Sequence, residues 1–174
     1  MFGKALGNGY AITSIIGIES VMREAQESFI SSTFWTERIG PTAAFKTLEI
    51  MQKLKSWDVI TEKGKIIQKG WKHLQDKYEL DIHQSGLSAL ASFNFAQNQS
   101  LGYKTFLTQE MLKKGYLAST SCYSCVSHTD KIIQDYLEAL DSVFYKIKEI
   151  EMDKKDINEF LDGPICESGF KRLN

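Results

Sequence analysis

The chain has 174 residues, of which 43% are hydrophobic and 25% charged, and its formal net charge is -1. That is the length of one domain, or of a domain with an appendage, and the composition of a globular protein rather than a disordered one. A charge so near zero leaves no electrostatic footprint for nucleic acid or an anionic membrane.

No run approaches the roughly 18 apolar residues that span a bilayer, and no basic segment followed by an apolar core opens the chain. The 3 cysteines, an odd number, suit a reducing compartment better than a disulfide framework. A cytoplasmic location is therefore expected.

The chain opens on Phe2-Gly3-Lys4-Ala5-Leu6-Gly7-Asn8-Gly9-Tyr10. An amine that captures an aldehyde needs a short, stiff backbone and partial desolvation, so that it spends time uncharged. Gly3, Gly7 and Gly9 allow tight turning and close approach to a ligand. The ordinary alternative is a plain turn beside a solvated lysine. A phosphate-binding loop is excluded, because that motif requires Ser or Thr after Gly-Lys and a strand before it, whereas Ala5 follows Lys4.

Residues 10 to 18 are isoleucine-rich and read as a strand buried on both faces. Glu19 to Glu27 has helical spacing, and Ser28 to Phe34 reads as extended. Ile39-Gly40-Pro41 predicts a helix start, with Gly40 as cap and Pro41 at the first helical position. From there Ala44, Phe45, Leu48 and Met51 share one face of a helix to about Lys55.

A second helix is predicted from Asp58, with Ile67, Trp71, Leu74 and Tyr78 at spacings near 3.6. The period then changes, and Ile82 to Gly86 and Leu87 to Phe95 read as strands. Asn98 to Gly102 is a polar turn, and Thr105 to Lys114 a helix closed by Gly115. Tyr116 to Ser121 is a strand candidate. Ser127 and Asp130 form a capping box for a long helix that buries Ile133, Tyr136, Leu140, Phe144 and Ile147. From Glu149 the composition turns acidic and lysine-rich and Gly163-Pro164 breaks the chain, so residues 151 to 174 read as a tail with at most one helix at Asp153 to Leu161.

Cys122, Cys125 and His128 have the spacing of three zinc ligands, but a structural site needs a fourth, and Cys166 stands alone. The favoured reading is a strand-to-helix turn with no metal. His73 and His83 lack a catalytic partner at recognisable spacing.

The run from Phe2 to Gly17, with Ser31-Ser32-Thr33-Phe34-Trp35 and Pro41-Thr42-Ala43-Ala44, closely resembles class III pyridoxal-phosphate aminotransferases, particularly the branch that includes glutamate-1-semialdehyde aminomutase. It continues through Gly115 to Ala118 and Ser127 to Asp130, covering roughly residues 2 to 150. The resemblance implies that Lys4 holds pyridoxal 5'-phosphate covalently. It implies that Thr33, and more weakly Ser32, binds the cofactor phosphate across a homodimer interface. Where many relatives carry a carboxylate-binding arginine, this chain has Ser119 to Tyr123.

The expected fold class follows from the resemblance: α/β, with an α+β small domain, the C-terminal portion of a fold type I transferase lacking most of its large domain. Residues 1–36 would be the large-domain remnant, 37–150 the small domain with its long helix, and 151–174 a tail. The phosphate cradle, the stacking aromatic and the pyridine-nitrogen partner of the family precede the lysine, so none of them lies in this chain. Amino transfer between small-molecule partners is the implied activity, with the isolated chain inactive. The alternative is an interaction module that complements a separate N-terminal part.

Overall fold

The computed structural model describes residues 2–30, 33–96 and 99–169. The chain forms two compact units, Met1–Ser56 and Trp57–Asn174.

In the first unit, Lys4–Leu6 makes a single 3-10 turn. Phe2 and Ser14 then exchange backbone hydrogen bonds of 2.7 and 2.8 Å, an isolated antiparallel bridge. Helix α1 (Glu19–Met22) continues into a 3-10 turn at Arg23–Glu27. Helix α2 runs Ile39–Leu54 and stops at Lys55, whose φ of 47° puts it in the left-handed region.

Two expectations are corrected here. Residues 10 to 18 do not form a doubly buried strand: Ser14 makes only the bridge to Phe2, and Ile15, Ile16 and Ile18 are exposed. A strand is buried on two faces only when flanked by other strands and covered by helices, and the described residues of this unit supply neither. Along α2, Ala44 is buried but Phe45 and Leu48 are exposed, so the stripe read as core-facing is mostly bare.

The second unit holds the core. Helix α3 (Ser56–Tyr78) leads to a hairpin of β1 (Ile82–Leu87) and β2 (Leu90–Phe95). Helix α4 (Ser100–Lys113), strand β3 (Ser121–Tyr123) and helix α5 (Asp130–Met152) follow. The sheet is antiparallel in the order β1-β2-β3, with Gln84 opposite Phe93 and Leu90 opposite Tyr123.

Alternation along β2 sends Ala91, Phe93 and Phe95 to the inner face, where all three are buried. The helices cover that face alone: Trp71 of α3 meets Phe93 edge-on at 4.8 Å, Tyr103 of α4 meets Phe95 at 5.6 Å, and Phe144 of α5 meets Phe93 at 6.0 Å. Helices on one side of an antiparallel sheet make an α+β unit, the class expected of the small domain.

Local chemistry explains the element ends, including those misplaced by sequence. Gly115, at φ 88°, closes α4: its N–H bonds the Leu112 carbonyl while that of Tyr116 bonds Met111, a paired closure that only a left-handed residue allows. Helix α4 begins at Ser100 rather than Thr105, because Tyr103 belongs to its buried face. The third strand is Ser121–Tyr123 rather than 116 to 121, since that is where the chain pairs with β2, Cys122 opposite Ala91.

Helix α5 is capped by Thr129, whose hydroxyl accepts from the Ile132 N–H at 3.2 Å, and not by Ser127. Residues read as a tail pack on α4: Ile157 is fully buried and its N–H donates to Gln99 Oε1 at 2.8 Å.

Candidate functional site

The glycine-rich loop is built tightly. An added Cβ on Gly7 would lie 2.1 Å from the Tyr10 carbonyl oxygen, and one on Gly40 would lie 2.6 Å from that of Ala11. The first turn of α2 therefore braces the irregular segment at Ala11 and Ile12 that leaves the loop, with no room for a side chain between them. Lys4 itself has φ 43°, a left-handed conformation that a lysine adopts only when its surroundings require it. Its side chain is exposed.

This geometry suits attachment of an aldehyde cofactor: the amine is accessible, makes no ion pair among the described residues, and stands on a braced turn. Desolvation, the second requirement of a reactive lysine, is not supplied around Lys4 by the described residues. Thr33 lies in an exposed turn spanning residues 33–36, and Ser32 lies outside the described residues. No hydrogen bond joins Thr33 to Lys4 among the described residues.

In the second unit, the Cys122-to-His128 segment runs from β3 through a turn at residues 126–127. The backbone N–H of Cys125 donates to His128 Nδ1 at 3.4 Å, so the imidazole serves the turn before α5. Among the described residues no cluster of three or more metal-ligating side chains comes together. Burial pushes the Cys122 thiol up from its ordinary pKa, the opposite of what activates a nucleophile.

Sequence reasoning missed a cavity of about 310 Å³ lined by Ile67, Tyr116, Ala118, Cys122, His128 and Tyr136, among others. Burial raises the Tyr136 phenol far above its usual range, and its oxygen accepts from Trp71 Nε1 at 3.0 Å. These wall residues come from α3, the 116–118 segment, β3 and α5, so no local spacing announces them.

No family model matches the chain. It is 27% identical over 155 residues to the 3-aminobutyryl-CoA aminotransferase of Cloacimonas acidaminovorans, covering 86% of this chain and 37% of that protein. It is 23% identical to the aminopentol aminotransferase of Sphingopyxis macrogoltabida, over 82% of this chain and 34% of the relative. It is 22% identical to the glutamate-1-semialdehyde 2,1-aminomutase of Methanosphaera stadtmanae, over 84% and 38%.

A solved structure, the pyridoxal-phosphate internal aldimine form of the FumI protein of Sphingopyxis sp. MTA144, superposes with a TM-score of 0.77 at 21% identity, covering 84% of this chain and 36% of that one. The chain thus spans little more than a third of the length of the curated relatives it matches. These homologues are class III pyridoxal-phosphate aminotransferases and aminomutases, and the coverage fits their C-terminal part.

Proposed function

We propose that this chain supplies the cofactor lysine and the small domain of a pyridoxal-phosphate-dependent aminotransferase or aminomutase that works on a small-molecule amino donor and acceptor, as a homodimer in the cytoplasm. The observation that carries the reading is the sequence likeness to aminotransferases over 155 residues, joined to the 0.77 fold match. The loop bracing at Gly7 and Gly40 adds support, since it presents one lysine on a fixed backbone.

Lys4 would hold the cofactor through its Nζ and, once displaced by the substrate amine, take up and return the proton at the reacting carbon. The cofactor, when bound, supplies the electron sink. Thr33 would donate its hydroxyl to the phosphate from the neighbouring protomer, with Ser32 beside it. Lys4 is exposed and the described residues build no pocket around it, so the isolated chain should not turn over substrate.

The test is titration of the purified chain with pyridoxal phosphate, borohydride reduction and mass mapping of the modified lysine. Saturable labelling confined to Lys4, and lost in Lys4→Ala, is expected. Weak labelling spread over many of the lysines would remove the cofactor role from this chain.

A second reading, a non-catalytic module that pairs with a separate N-terminal part, is favoured by the bare apolar surface of the first unit. Ile16 is 67%, Ile18 70% and Trp35 70% exposed. Surfaces of this kind mark interfaces. Co-purification of such a partner, with labelling still absent from Lys4 in the complex, would favour this reading over the first.

A further inference from the structure

The cavity of the second unit has a hydrogen-bonding character that its neighbours fix. The oxygen of Tyr136 already accepts the Trp71 indole N–H at 3.0 Å, which leaves the phenolic proton to be given. His128 Nδ1 accepts the Cys125 N–H, so the neutral imidazole carries its proton on Nε2. Cys122, half-buried, is held as the thiol by burial and offers a weak S–H donor.

The fixed polar groups of the wall are therefore donors. Tyr116, Ser121 and Tyr123 also line it, and their hydroxyls can serve either way.

Charge is absent from the wall, which includes no Asp, Glu, Lys or Arg. The lysine on the neighbouring turn of α3, Lys63, gives its Nζ to the His128 backbone carbonyl and lies 4.0 Å from Asp130. A charged guest would give up hydration without gaining a counter-charge. A guest rich in donors would meet donors. The remaining wall is apolar, from Ile67, Ile132 and Ile133, and the volume of about 310 Å³ is at the small end of ligand pockets.

We propose that this cavity binds a small uncharged molecule with an apolar body and a carbonyl acceptor, the carbonyl taking its hydrogen bonds from Tyr136 and His128. Ser121, Cys122 and Tyr123 of the wall belong to the stretch where many relatives carry a carboxylate-binding arginine, so the proposal bears on the substrate side of the aminotransferase reading without resting on Lys4. Trapping at Lys4 tests that reading, and either result can hold without the other.

Acetophenone is the probe, titrated into the 174-residue chain with two readouts. The methyl resonances of Ile67 and Ile133 should shift saturably. Alkylation of Cys122 by iodoacetamide, mapped by mass spectrometry, should slow as the cavity fills, while the exposed Cys125 keeps reacting. Benzylamine, cationic at neutral pH, should do neither.

Tyr136→Phe should weaken acetophenone about fivefold, the worth of one hydrogen bond. Ala118→Leu, which fills the cavity from an irregular segment, should abolish both effects without touching a donor. The proposal is overturned if acetophenone neither shifts the methyls nor protects Cys122, if benzylamine binds as tightly, or if Ala118→Leu still binds. Should Tyr136→Phe not fold, the Ala118→Leu and benzylamine results decide.

Discussion

Trp71 Nε1 donates to the Tyr136 phenolic oxygen across 3.0 Å, joining α3 to α5 beside the cavity. Trp71 is fully buried, so no water replaces that acceptor if it is lost. Tyr136→Phe keeps the ring and deletes only the oxygen, stranding the indole N–H at a cost of about 1–3 kcal/mol. Urea denaturation should show a lower midpoint with an unchanged slope. An unchanged midpoint would mean that the indole finds another partner.

Ile157 is the anchor of the segment after α5. It is 1% exposed and packs on Gly102 of α4, where an added Cβ would come within 2.4 Å of it. Gln109 holds the next stretch, donating to the Phe160 carbonyl at 3.0 Å and accepting from the Asp162 N–H at 2.7 Å. Ile157→Ala should therefore cost about 2–4 kcal/mol, as for a core isoleucine. A loss under about 0.5 kcal/mol, the scale of surface substitutions, would return the segment to the status of a loose tail.

The parts that sequence reading recovered are those where period and burial coincide. Helix α3 places Ile67, Trp71 and Leu74 inside, and β2 alternates Ala91, Phe93 and Phe95 inside with Ser92 and Asn94 outside, so hydrophobic spacing alone located both. It misled where the partner of an apolar stripe is not in this chain's described residues: residues 10 to 18 and the Phe45–Leu48 face of α2 look like core and are bare.

Caps shifted for a different reason. Ser127 and Thr129 offer the same hydroxyl chemistry, and only the path of the turn, fixed by the Cys125-to-His128 contact, selects Thr129. The lysine loop was legible as a motif, whereas the cavity, assembled from distant segments, was not.

Gly40 determines how the first unit holds its lysine loop. An added methyl would sit 2.6 Å from the Ala11 carbonyl oxygen and 3.2 Å from Ile12 Cβ, so α2 or the segment at Ala11 and Ile12 must move. Gly40→Ala should destabilise by about 1–3 kcal/mol despite the better helix propensity of alanine. If Lys4 captures pyridoxal phosphate, borohydride-trapped labelling should fall in this variant along with stability. Labelling and stability equal to the parent chain would show that the brace does not fix the loop.

Glu151, in the last turn of α5, has one carboxyl oxygen buried without a hydrogen-bond partner. Burial raises its pKa, the nearby Asp81 raises it further, and Lys148 opposes both. The folded state thus favours the protonated acid more than the unfolded chain does. Between the ordinary carboxyl pKa, about 4.3, and the higher folded value, the folded protein holds more protons, so stability falls as pH rises through that window.

Glu151→Gln removes the charge and keeps the shape. It should stabilise at neutral and alkaline pH, by less than about 1 kcal/mol because the site is partly open to solvent, and the gain should shrink to nothing well below the ordinary carboxyl pKa, where the parent carboxyl is protonated in both states. Melting curves of the two proteins across that range give the difference directly. A gain that persisted in acid would assign the effect to packing, and a loss at neutral pH would show that Lys148 stabilises the ionised form more than burial disfavours it.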